Sequence, residues 1–372
     1  MRIAVNTRFL IKDKLEGIGL YTLEIIKRMV EHYPQNDYIF IFDRPYSSEF
    51  IFHEKIIPVI VNPPARHPFL WYLWFEHSIP RILKKYKADI FFSPDGFCSL
   101  HTTIPQFMVS HDLAFEHFPN FVPYFTRKYY THFSPKQHQV AKHIFAVSLA
   151  TKQDIIQQYN IDSQKISLAY NGCRDEFKKL GDTEKGQVRK EYSKGKPYFL
   201  CVGALHPRKN IAGLIRGFDL FKQKMVTDYT LLLVGRKAWH TTEIERAFEN
   251  AIHREDIHFI PFTQVNELAK ITASAEACIC ASFLEGFGVP VLEALNCRVP
   301  VLISNQFSLP EVAGPGAILF DPYSIQSIAK SFEEFIQIPN KEALISQTEH
   351  HIQKFSWDKS MHIIYSKLIE DS

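Results

Sequence analysis

Short apolar runs alternate along this chain with longer segments in which apolar residues recur at helical spacing. This alternation is typical of buried parallel strands joined by crossover helices. In the first half, the pattern predicts strands at 2–6, 38–42, 56–61, 89–92, 105–110 and 143–148. In the second half, it predicts strands at 198–202, 230–234, 257–260, 277–281, 299–303 and 317–320. We therefore predict an α/β protein with two doubly wound, Rossmann-like domains.

A polar, glycine-containing segment at 171–197 separates the two sets of predicted strands. We predict an N-terminal domain over 1–175, a linker over 176–197 and a C-terminal domain over 198–355. The last residues, 356–372, are predicted to form a helix. A length of 372 residues agrees with two domains, because a single core of that size is unusual.

The stretch 277–297 has the pattern of a strand, a glycine loop and a helix. Glu285 lies on the loop, where two glycines can take positive φ, and Glu293 lies inside the helix that starts near Pro290. Free N–H groups at a helix N-terminus attract phosphate, and the two carboxylates could accept hydrogen bonds from the hydroxyls of a sugar nucleotide. The alternative is an ordinary strand–helix unit in which Glu293 only complements the helix dipole.

This stretch, E-G-F-G-x-P-x-x-E, resembles the signature of the family 4 retaining glycosyltransferases, which have the GT-B fold. The resemblance implies two Rossmann-like domains that face a central cleft, and a C-terminal helix, 356–372, that crosses back to the first domain. It also implies that Glu285 holds hydroxyls of the donor sugar and that Glu293 holds the ribose. Further donor contacts are expected from the loop and the start of the helix: Gly286, Phe287, Gly288 and Val289.

Two adjacent cations, Arg208 and Lys209, follow the strand 198–202 and Gly203. At the carboxyl end of a parallel strand they can face a diphosphate. Arg208 would bind its oxygens through two parallel N–H donors, and Lys209 would act as a point charge. An exposed basic turn is the alternative. The run V-G-x-x-x-x-R-K-N also resembles the phosphate-binding segment of the family, and Asn210 is a candidate N-cap for the next helix.

These cations would stabilise the diphosphate leaving group as it accumulates negative charge. The sequence has no Asp-x-Asp motif of the kind that holds a metal in other transferases. We therefore expect a metal-independent enzyme without a cofactor, whose donor substrate is a GDP- or UDP-linked sugar.

Three further places carry the resemblance. His111 follows the fifth predicted strand, and relatives have a His here that contacts the donor sugar near the reacting carbon. Gly17 and Gly19 lie between the first strand and first helix in a run, E-G-I-G-x-Y-T, that resembles the family's N-terminal glycine loop. The pattern alone leaves a structural turn equally open there. Pro261 and Phe262 follow the strand 257–260, where relatives hold the nucleotide base.

Composition limits the class of protein. Hydrophobic residues make up 46% and charged residues 22%, as in a globular protein. No apolar stretch is long enough to span a bilayer, and the N-terminus has the pattern of a strand, so we expect a cytoplasmic protein. We also expect that it binds no nucleic acid. The six cysteines lack a complete metal-ligand spacing and are expected to be buried free thiols.

Charge and aromatic residues leave a membrane contact open. Residues 1–180 carry 22 Lys and Arg against 17 Asp and Glu, which fits either ordinary surface charge or an anionic partner. Aromatic residues cluster at 69–75 and 115–130, the second cluster with Arg127 and Lys128. They are explained either as core residues or as an interfacial patch that touches anionic lipid headgroups.

The sequence thus predicts a retaining hexosyltransferase that moves a hexose, from the look of the family a mannose, to a growing surface glycan or lipid-linked saccharide. We expect His111, Glu285, Arg208 and Lys209 at the reaction centre of a cytoplasmic protein, and the open membrane contact would place it at the inner face of the plasma membrane. The alternatives are another GT-B activity, such as a nucleotide-sugar epimerase, or a non-catalytic protein that binds a glycan or nucleotide.

Overall fold

The computed structural model describes residues 1–15, 17–236 and 242–370. The chain forms two compact units. The first consists of Met1–Asn171 together with Ser356–Ser372, and the second of Gly172–Phe355. Each unit contains one parallel sheet, with seven strands in the first and six in the second among the described residues.

The strands of the first sheet are β1 Arg2–Asn6, β2 Asp37–Phe42, β3 Ile56–Ile60, β4 Ile90–Ser93, β5 Gln106–Ser110, β6 His143–Ala146 and β7 Ile166–Leu168. Those of the second are β8 Tyr198–Val202, β9 Thr230–Val234, β10 Ile257–Ile260, β11 Ala277–Cys280, β12 Val301–Ser304 and β13 Ile318–Phe320. Most residues of these strands are apolar and buried, because helices cover both faces of a parallel sheet.

The α-helices are α1 Ile18–His32, α2 Pro68–Leu73, α3 Ile79–Lys85, α4 Ala114–His117, α5 Tyr124–Val140, α6 Leu149–Tyr159, α7 Asp182–Ser193, α8 Ile211–Lys224, α9 Thr242–Glu249, α10 Val265–Ser274, α11 Val289–Asn296, α12 Leu309–Ala313, α13 Ile325–Gln337, α14 Glu342–Ile352 and α15 Trp357–Glu370. One π-helical turn, Trp74–Ser78, joins α2 to α3. Among the described residues, no helix has both the length and the apolar character that crossing a bilayer requires.

Strand order fixes where a ligand site can form in each sheet. The order is β3-β2-β1-β4-β5-β6-β7 in the first unit and β10-β9-β8-β11-β12-β13 in the second. In both, the first strand lies inside the sheet, and the chain builds outward on one side before it crosses to the other. This reversal places a topological switch point at β1/β4 and another at β8/β11. In open α/β sheets, ligands bind beyond the carboxyl ends of the strands at such points.

The segment 176–197, predicted as a linker, contains α7 and lies within the second unit. Arg189 donates to the carbonyl of Ser274 at 3.0 Å and pairs with Glu276 at 2.7 Å. The Tyr192 hydroxyl donates to Glu267 at 3.0 Å. Polar side chains of α7 thus tie this helix to α10 and to the residue before β11. The contact-defined boundary between the units falls earlier, between Asn171 and Gly172.

Helix α15 belongs to the first unit, where it packs along α1. The buried Tyr21 of α1 meets the ring of Trp357 edge to face, with centroids 5.6 Å apart. The rings of Tyr33 and Tyr365 stack with centroids 3.4 Å apart, and Arg28 pairs with Asp358 at 3.1 Å. An apolar and a charged contact together fix the helix that ends the described chain.

Candidate functional site

In the second unit, the basic pair lies directly beyond the end of β8. Pro207, Arg208 and Lys209 form one turn of 3-10 helix, and the His206 ring accepts from the Arg208 N–H at 3.2 Å. The Arg208 carbonyl accepts from the Phe283 N–H at 2.9 Å, which joins this turn to the loop after the neighbouring strand β11. The two loops of the β8/β11 switch point are therefore held together by their backbones.

Asn210 occupies the N-cap position of α8, as predicted. It has φ 54°, and its side chain makes no capping bond to α8. Its amide instead donates to the Pro322 carbonyl at 2.7 Å, beyond the end of β13. The predicted position is therefore confirmed, while the side chain binds Pro322 instead of an N–H group of α8.

Glu285 is the acceptor on which the two loops converge. Lys209 Nζ lies 2.6 Å from Glu285 Oε1, and Arg208 Nη1 lies 3.5 Å from Oε2. The Ser282 hydroxyl also donates to Oε1, at 2.5 Å, and Arg208 Nη1 donates to the Leu284 carbonyl at 2.6 Å. The structure thus brings together the three charged residues that the sequence predicted at one site, and it adds Ser282.

Gly203 makes room for this arrangement. Its φ is +144°, and a Cβ built there would lie 3.2 Å from Lys209 Cε. A side chain at 203 would therefore push Lys209 away from Glu285 as well as strain the backbone. The predicted site residue acts here by leaving space for its neighbour.

Electrostatics fix the charge state of this cluster. Burial acts to raise the pKa of the Glu285 carboxyl, but Lys209 and Arg208 outweigh it and lower that pKa to about 2. Burial acts to lower the pKa of Lys209, and the Glu285 carboxylate reverses this effect and raises it. Glu285 is therefore a permanent anion near neutral pH. It can accept hydrogen bonds, but it cannot serve as a general acid there.

The glycine loop continues from Glu285 into α11, which begins at Val289. The Ser308 hydroxyl lies 2.7 Å from the Glu285 carbonyl and 2.9 Å from that of Phe287, so it fastens the loop at two points. Gly288 has φ +102°, and a Cβ there would come within 2.7 Å of Leu309 Cδ2. Phe287 is buried, and its ring meets Phe355 edge to face at 5.3 Å. The side chain of Phe287 is therefore not available to a ligand.

Glu293, the second predicted carboxylate, is bound by a residue that the sequence did not single out. Arg174 Nε and Nη2 both donate to Glu293 Oε1, at 2.9 and 2.6 Å. Glu293 is only 3% exposed. Burial raises the pKa of its carboxyl to about 7, although Arg174 acts to lower it. The resemblance to a glycosyltransferase loop gave no indication of this pair.

In the first unit, the β1/β4 switch point carries a second set of polar residues that sequence reasoning missed. The side chains of Arg8 and Asp95 form an ion pair in which both residues are almost fully buried. The Asn6 amide donates to the Ser93 hydroxyl at 3.1 Å. Their positions at or just after the carboxyl ends of β1 and β4 were the available signal, because the charged residues of the second unit also follow the carboxyl ends of β8 and β11.

His111 lies at the end of β5, next to this pair. Its Nε2 is 2.8 Å from the Pro94 carbonyl, so we assign the ring proton to Nε2, which donates to that oxygen. Burial lowers the pKa of the ring, which favours neutral imidazole. In this tautomer Nδ1 is an acceptor, a group suited to a sugar hydroxyl.

A cavity of about 160 Å³ opens beside His111. Its wall includes Asp95, Asp112 and Gln137 together with the aromatic rings of Phe9 and Tyr130. Gln137 is 1% exposed, and among the described residues its amide nitrogen makes no hydrogen bond of normal geometry, although the Tyr129 hydroxyl is its neighbour. Acidic, amide and aromatic groups in one wall are the groups that bind a carbohydrate ring.

The remaining predicted residues lie at the edges of these two sites. Gly17 precedes α1 as its N-cap and Gly19 is in the first turn, while the adjacent Glu16 is outside the described residues. Pro261 and Phe262 are exposed after the edge strand β10, and no hydrogen bond within the described residues joins them to Glu285. Among all the residues that the structure describes, no cluster of three or more His, Cys, Asp or Glu side chains could hold a metal ion.

Solved structures share this fold. HepE from Anabaena, solved with UDP and glucose, superposes with a TM-score of 0.74 at 16% identity over 100% of both chains. At that identity the likeness concerns the fold alone.

Curated relatives align over most of the chain. The O-antigen chain mannosyltransferase B of Escherichia coli is 26% identical over 370 residues, which cover 94% of each protein. The O-antigen chain mannosyltransferase RfbU of Salmonella typhimurium is 26% identical over 84% of each.

Two family models match, one in each half of the chain. The model for Glycosyltransferase Family 4 matches residues 15–177, and the model for Glycosyl transferases group 1 matches residues 182–351. Together they account for most of the chain and agree with its division into two Rossmann-like units. The chain therefore belongs to the family 4, group 1 glycosyltransferases, and its two domains are those of the GT-B fold.

Proposed function

We propose that this enzyme transfers a mannosyl residue, with retention of configuration, from a nucleoside-diphosphate sugar to a growing O-antigen-type glycan or a lipid-linked saccharide. The names of its two aligned relatives, both O-antigen mannosyltransferases, support the sugar and the acceptor class. The observation that carries the donor site is the convergence of Lys209, Arg208 and Glu285 at the β8/β11 switch point.

The charges of that cluster suit the chemistry of the donor. Arg208 and Lys209 provide positive charge for the diphosphate, and Glu285 provides a fixed anion for hydroxyls of the sugar. During transfer, the bond between C1 and the phosphate oxygen breaks and a bond from C1 to the acceptor oxygen forms. The acceptor proton passes to the leaving phosphate oxygen. The two cations stabilise the charge that develops on this leaving group, which is the task of a metal in other transferases.

We assign the ribose to Glu293 and the base to the region of Pro261 and Phe262. Glu293 offers a buried carboxylate on α11, the helix that begins just after the glycine loop. Phe262 is 49% exposed, and such a ring can cover one face of a purine or pyrimidine. Contact between His111 and the transferred sugar remains a prediction, supported by its neutral, hydrogen-bond-accepting ring.

The acceptor sugar is proposed to bind in the first unit, in the cavity beside His111. The buried amide nitrogen of Gln137 needs a partner there, and an acceptor hydroxyl would supply one. Asp95 and Asp112 in the same wall can accept from further hydroxyls, and the ring of Tyr130 offers an apolar surface.

A transfer assay tests the proposal directly. Purified enzyme is given GDP-mannose, UDP-glucose and UDP-galactose in turn, with and without a mannosylated lipid-linked acceptor, and released nucleoside diphosphate is measured. We expect release from GDP-mannose that depends on the acceptor and persists in EDTA. Turnover with a UDP-sugar only would contradict the assignment of the donor, and no release from any donor would contradict the activity.

We further propose that the enzyme works in the cytoplasm, at an anionic membrane surface. All six cysteines are free thiols, a state that a reducing compartment preserves. Five of them are buried, as predicted, while Cys173 is only partly buried.

The membrane contact is assigned to the neighbouring N-terminal ends of α2 and α5. Phe69 is 64% and Phe125 66% exposed, and the cationic groups of Arg127 and Lys128 lie over the ring of the exposed Tyr124. Exposed aromatic rings beside basic groups favour an anionic headgroup surface. By contrast, Trp74 and Phe75 from the same predicted aromatic cluster lie in the core.

Vesicle flotation tests this contact. We expect flotation with vesicles rich in phosphatidylglycerol, and its loss in a Phe69→Ser/Phe125→Ser variant. Equal flotation with purely zwitterionic vesicles, or none with either, would contradict the anionic contact while leaving the transfer activity in place.

A further inference from the structure

The pair formed by Arg174 and Glu293 has an unusual hydrogen-bonding pattern. A guanidinium fork commonly binds a carboxylate through both of its oxygens. Here Nε and Nη2 both donate to the same oxygen, Oε1. Within the described residues, Glu293 Oε2 accepts no hydrogen bond. One side of this buried carboxylate is therefore occupied by protein, and the other is left for a different donor.

Arg174 is itself firmly placed. Its side chain is 19% exposed, and its guanidinium lies over the ring of the buried Phe177, 4.8 Å from the centroid. Stacking on Phe177 fixes the plane of the guanidinium, and the two bonds to Oε1 then fix the rotation of the carboxylate. Arg174 thus has the geometry of a residue that orients another one.

We propose that Arg174 is a positioning residue, which holds Glu293 by one oxygen so that the other accepts hydrogen bonds from the ribose hydroxyls of the donor. This inference rests on the proposed function, since it needs Glu293 to bind ribose. It adds a residue that neither the family motif nor any neighbouring sequence signal assigns.

The charged surroundings of Glu293 make the pair sensitive to pH. Burial raises the pKa of Glu293, Arg174 opposes this effect, and Glu176 adds to it. The remaining titratable neighbours are the thiols of Cys173, Cys278 and Cys297, all with pKa values raised mainly by burial. The helices packed against α11 carry further charged or titratable groups that make no hydrogen bond to Glu293: Glu267, Lys270, Glu311, Glu342, Glu349, His350 and His351.

Substitution of Arg174 should therefore change ribose binding in a pH-dependent way. With Arg174→Gln, the pKa of Glu293 rises, and the ionised fraction near neutral pH falls by up to about tenfold for each unit of that rise. Affinity for a nucleoside diphosphate should then reach its plateau at a higher pH than in the wild type. Arg174→Lys keeps the positive charge but loses the paired N–H donors of the guanidinium. The pH midpoint of nucleotide binding should therefore lie nearer to that of the wild type.

Calorimetric titration of the full chain with GDP and with UDP, from about pH 6 to pH 9, measures this midpoint. The 2′,3′-dideoxy forms of both nucleotides serve as probes without the ribose hydroxyls. We expect Arg174→Gln to weaken binding of the ribose forms several-fold and to leave the dideoxy forms unchanged. On a Glu293→Gln background, the same substitution should have no further effect.

Arg189→Gln is the matched control, because Arg189 lies in the same part of the unit, is similarly buried and pairs with a different carboxylate, that of Glu276. Equal weakening of ribose and dideoxy probes by Arg174→Gln, or an unchanged pH midpoint, would overturn the positioning role. Tighter binding would also overturn it, because Arg174 would then compete with the ribose. If the wild type bound neither GDP nor UDP, the proposed function itself would fail.

Discussion

Glu285 and Glu293 lie on the same strand–loop–helix segment, and both are nearly buried, at 7% and 3% exposure. Their surroundings nevertheless move their pKa values in opposite directions, to about 2 for Glu285 and about 7 for Glu293. Glu285 faces two cations and a hydroxyl, whereas Glu293 is surrounded by one arginine, the carboxylate of Glu176 and several thiols. The two glutamates of one motif therefore have separate roles. One is a fixed anion within a cationic cluster, and the other is a carboxylate whose charge depends on Arg174 and on pH.

The largest expected effect comes from removal of the charge beside Glu285. Lys209→Met keeps the length of the side chain but leaves the diphosphate with Arg208 alone. We expect turnover to fall by about 10²–10³-fold, the loss seen when one preorganised donor to a developing negative charge is removed. Steady-state transfer assays check this. Lys270→Met, which removes an exposed lysine of the same unit, is the control and should keep wild-type turnover.

The opposite pKa shifts should also appear in folding stability. Because the pKa of Glu285 is lowered in the folded state, its ionised form stabilises the protein above about pH 4.5, by about 3 kcal/mol, and this is lost as pH falls toward 2. Because the pKa of Glu293 is raised in the folded state, the free energy of unfolding of the wild type should instead fall by about 3 kcal/mol as pH rises from about 4.5 through 7.

Denaturant unfolding of Glu285→Gln and Glu293→Gln, compared with the wild type at about pH 5 and pH 8, separates the two residues. Glu285→Gln should be less stable by a similar amount at both pH values. Glu293→Gln should gain stability relative to the wild type between the lower and the higher pH. Parallel behaviour of the two variants would remove the basis of the comparison.

Much of the fold could be predicted because its cause is local. The six strands of the second sheet appear in the sequence as apolar runs, since burial on both faces removes polar residues from them. β7, Ile166–Leu168, was not predicted, because Ser167 at its centre interrupts the apolar run. The basic turn and the glycine loop could be predicted because each follows a strand, and their meeting at Glu285 follows from the adjacency of β8 and β11.

The missed residues depend on contacts between distant parts of the chain. Arg174 and Glu293 are 119 positions apart, and Asn6 and Ser93 are 87 apart. No periodicity links such positions, and only the completed sheets bring them together. The segment 176–197 gave the pattern of a linker for a related reason, because α7 is polar in sequence and its Arg189 pairs with Glu276, 87 positions away.

A smaller effect is expected at His111, in the other unit. His111→Ala should lower turnover by about tenfold, the loss of one hydrogen bond of roughly 1–1.5 kcal/mol, and should leave the affinity for a nucleoside diphosphate unchanged. Comparison of turnover with calorimetric affinity checks both statements. Weaker nucleotide binding in this variant would show that His111 does not act on the sugar alone.

The smallest effect is expected in the cavity beside His111. Gln137→Leu removes a buried amide whose nitrogen lacks a partner, so it should preserve or raise thermal stability while it increases the KM for the acceptor several-fold. Donor KM should not change. An unchanged acceptor KM would move the acceptor site away from this cavity.

The most direct test of the donor site is calorimetric titration of GDP, UDP and the corresponding phosphate-free nucleosides into the wild type and an Arg208→Ala/Lys209→Ala variant. We predict that the wild type binds one nucleoside diphosphate much more tightly than its nucleoside, and that the double variant binds both with the same low affinity. Undiminished binding of the diphosphate by the double variant would contradict the assignment of Arg208 and Lys209 to the diphosphate.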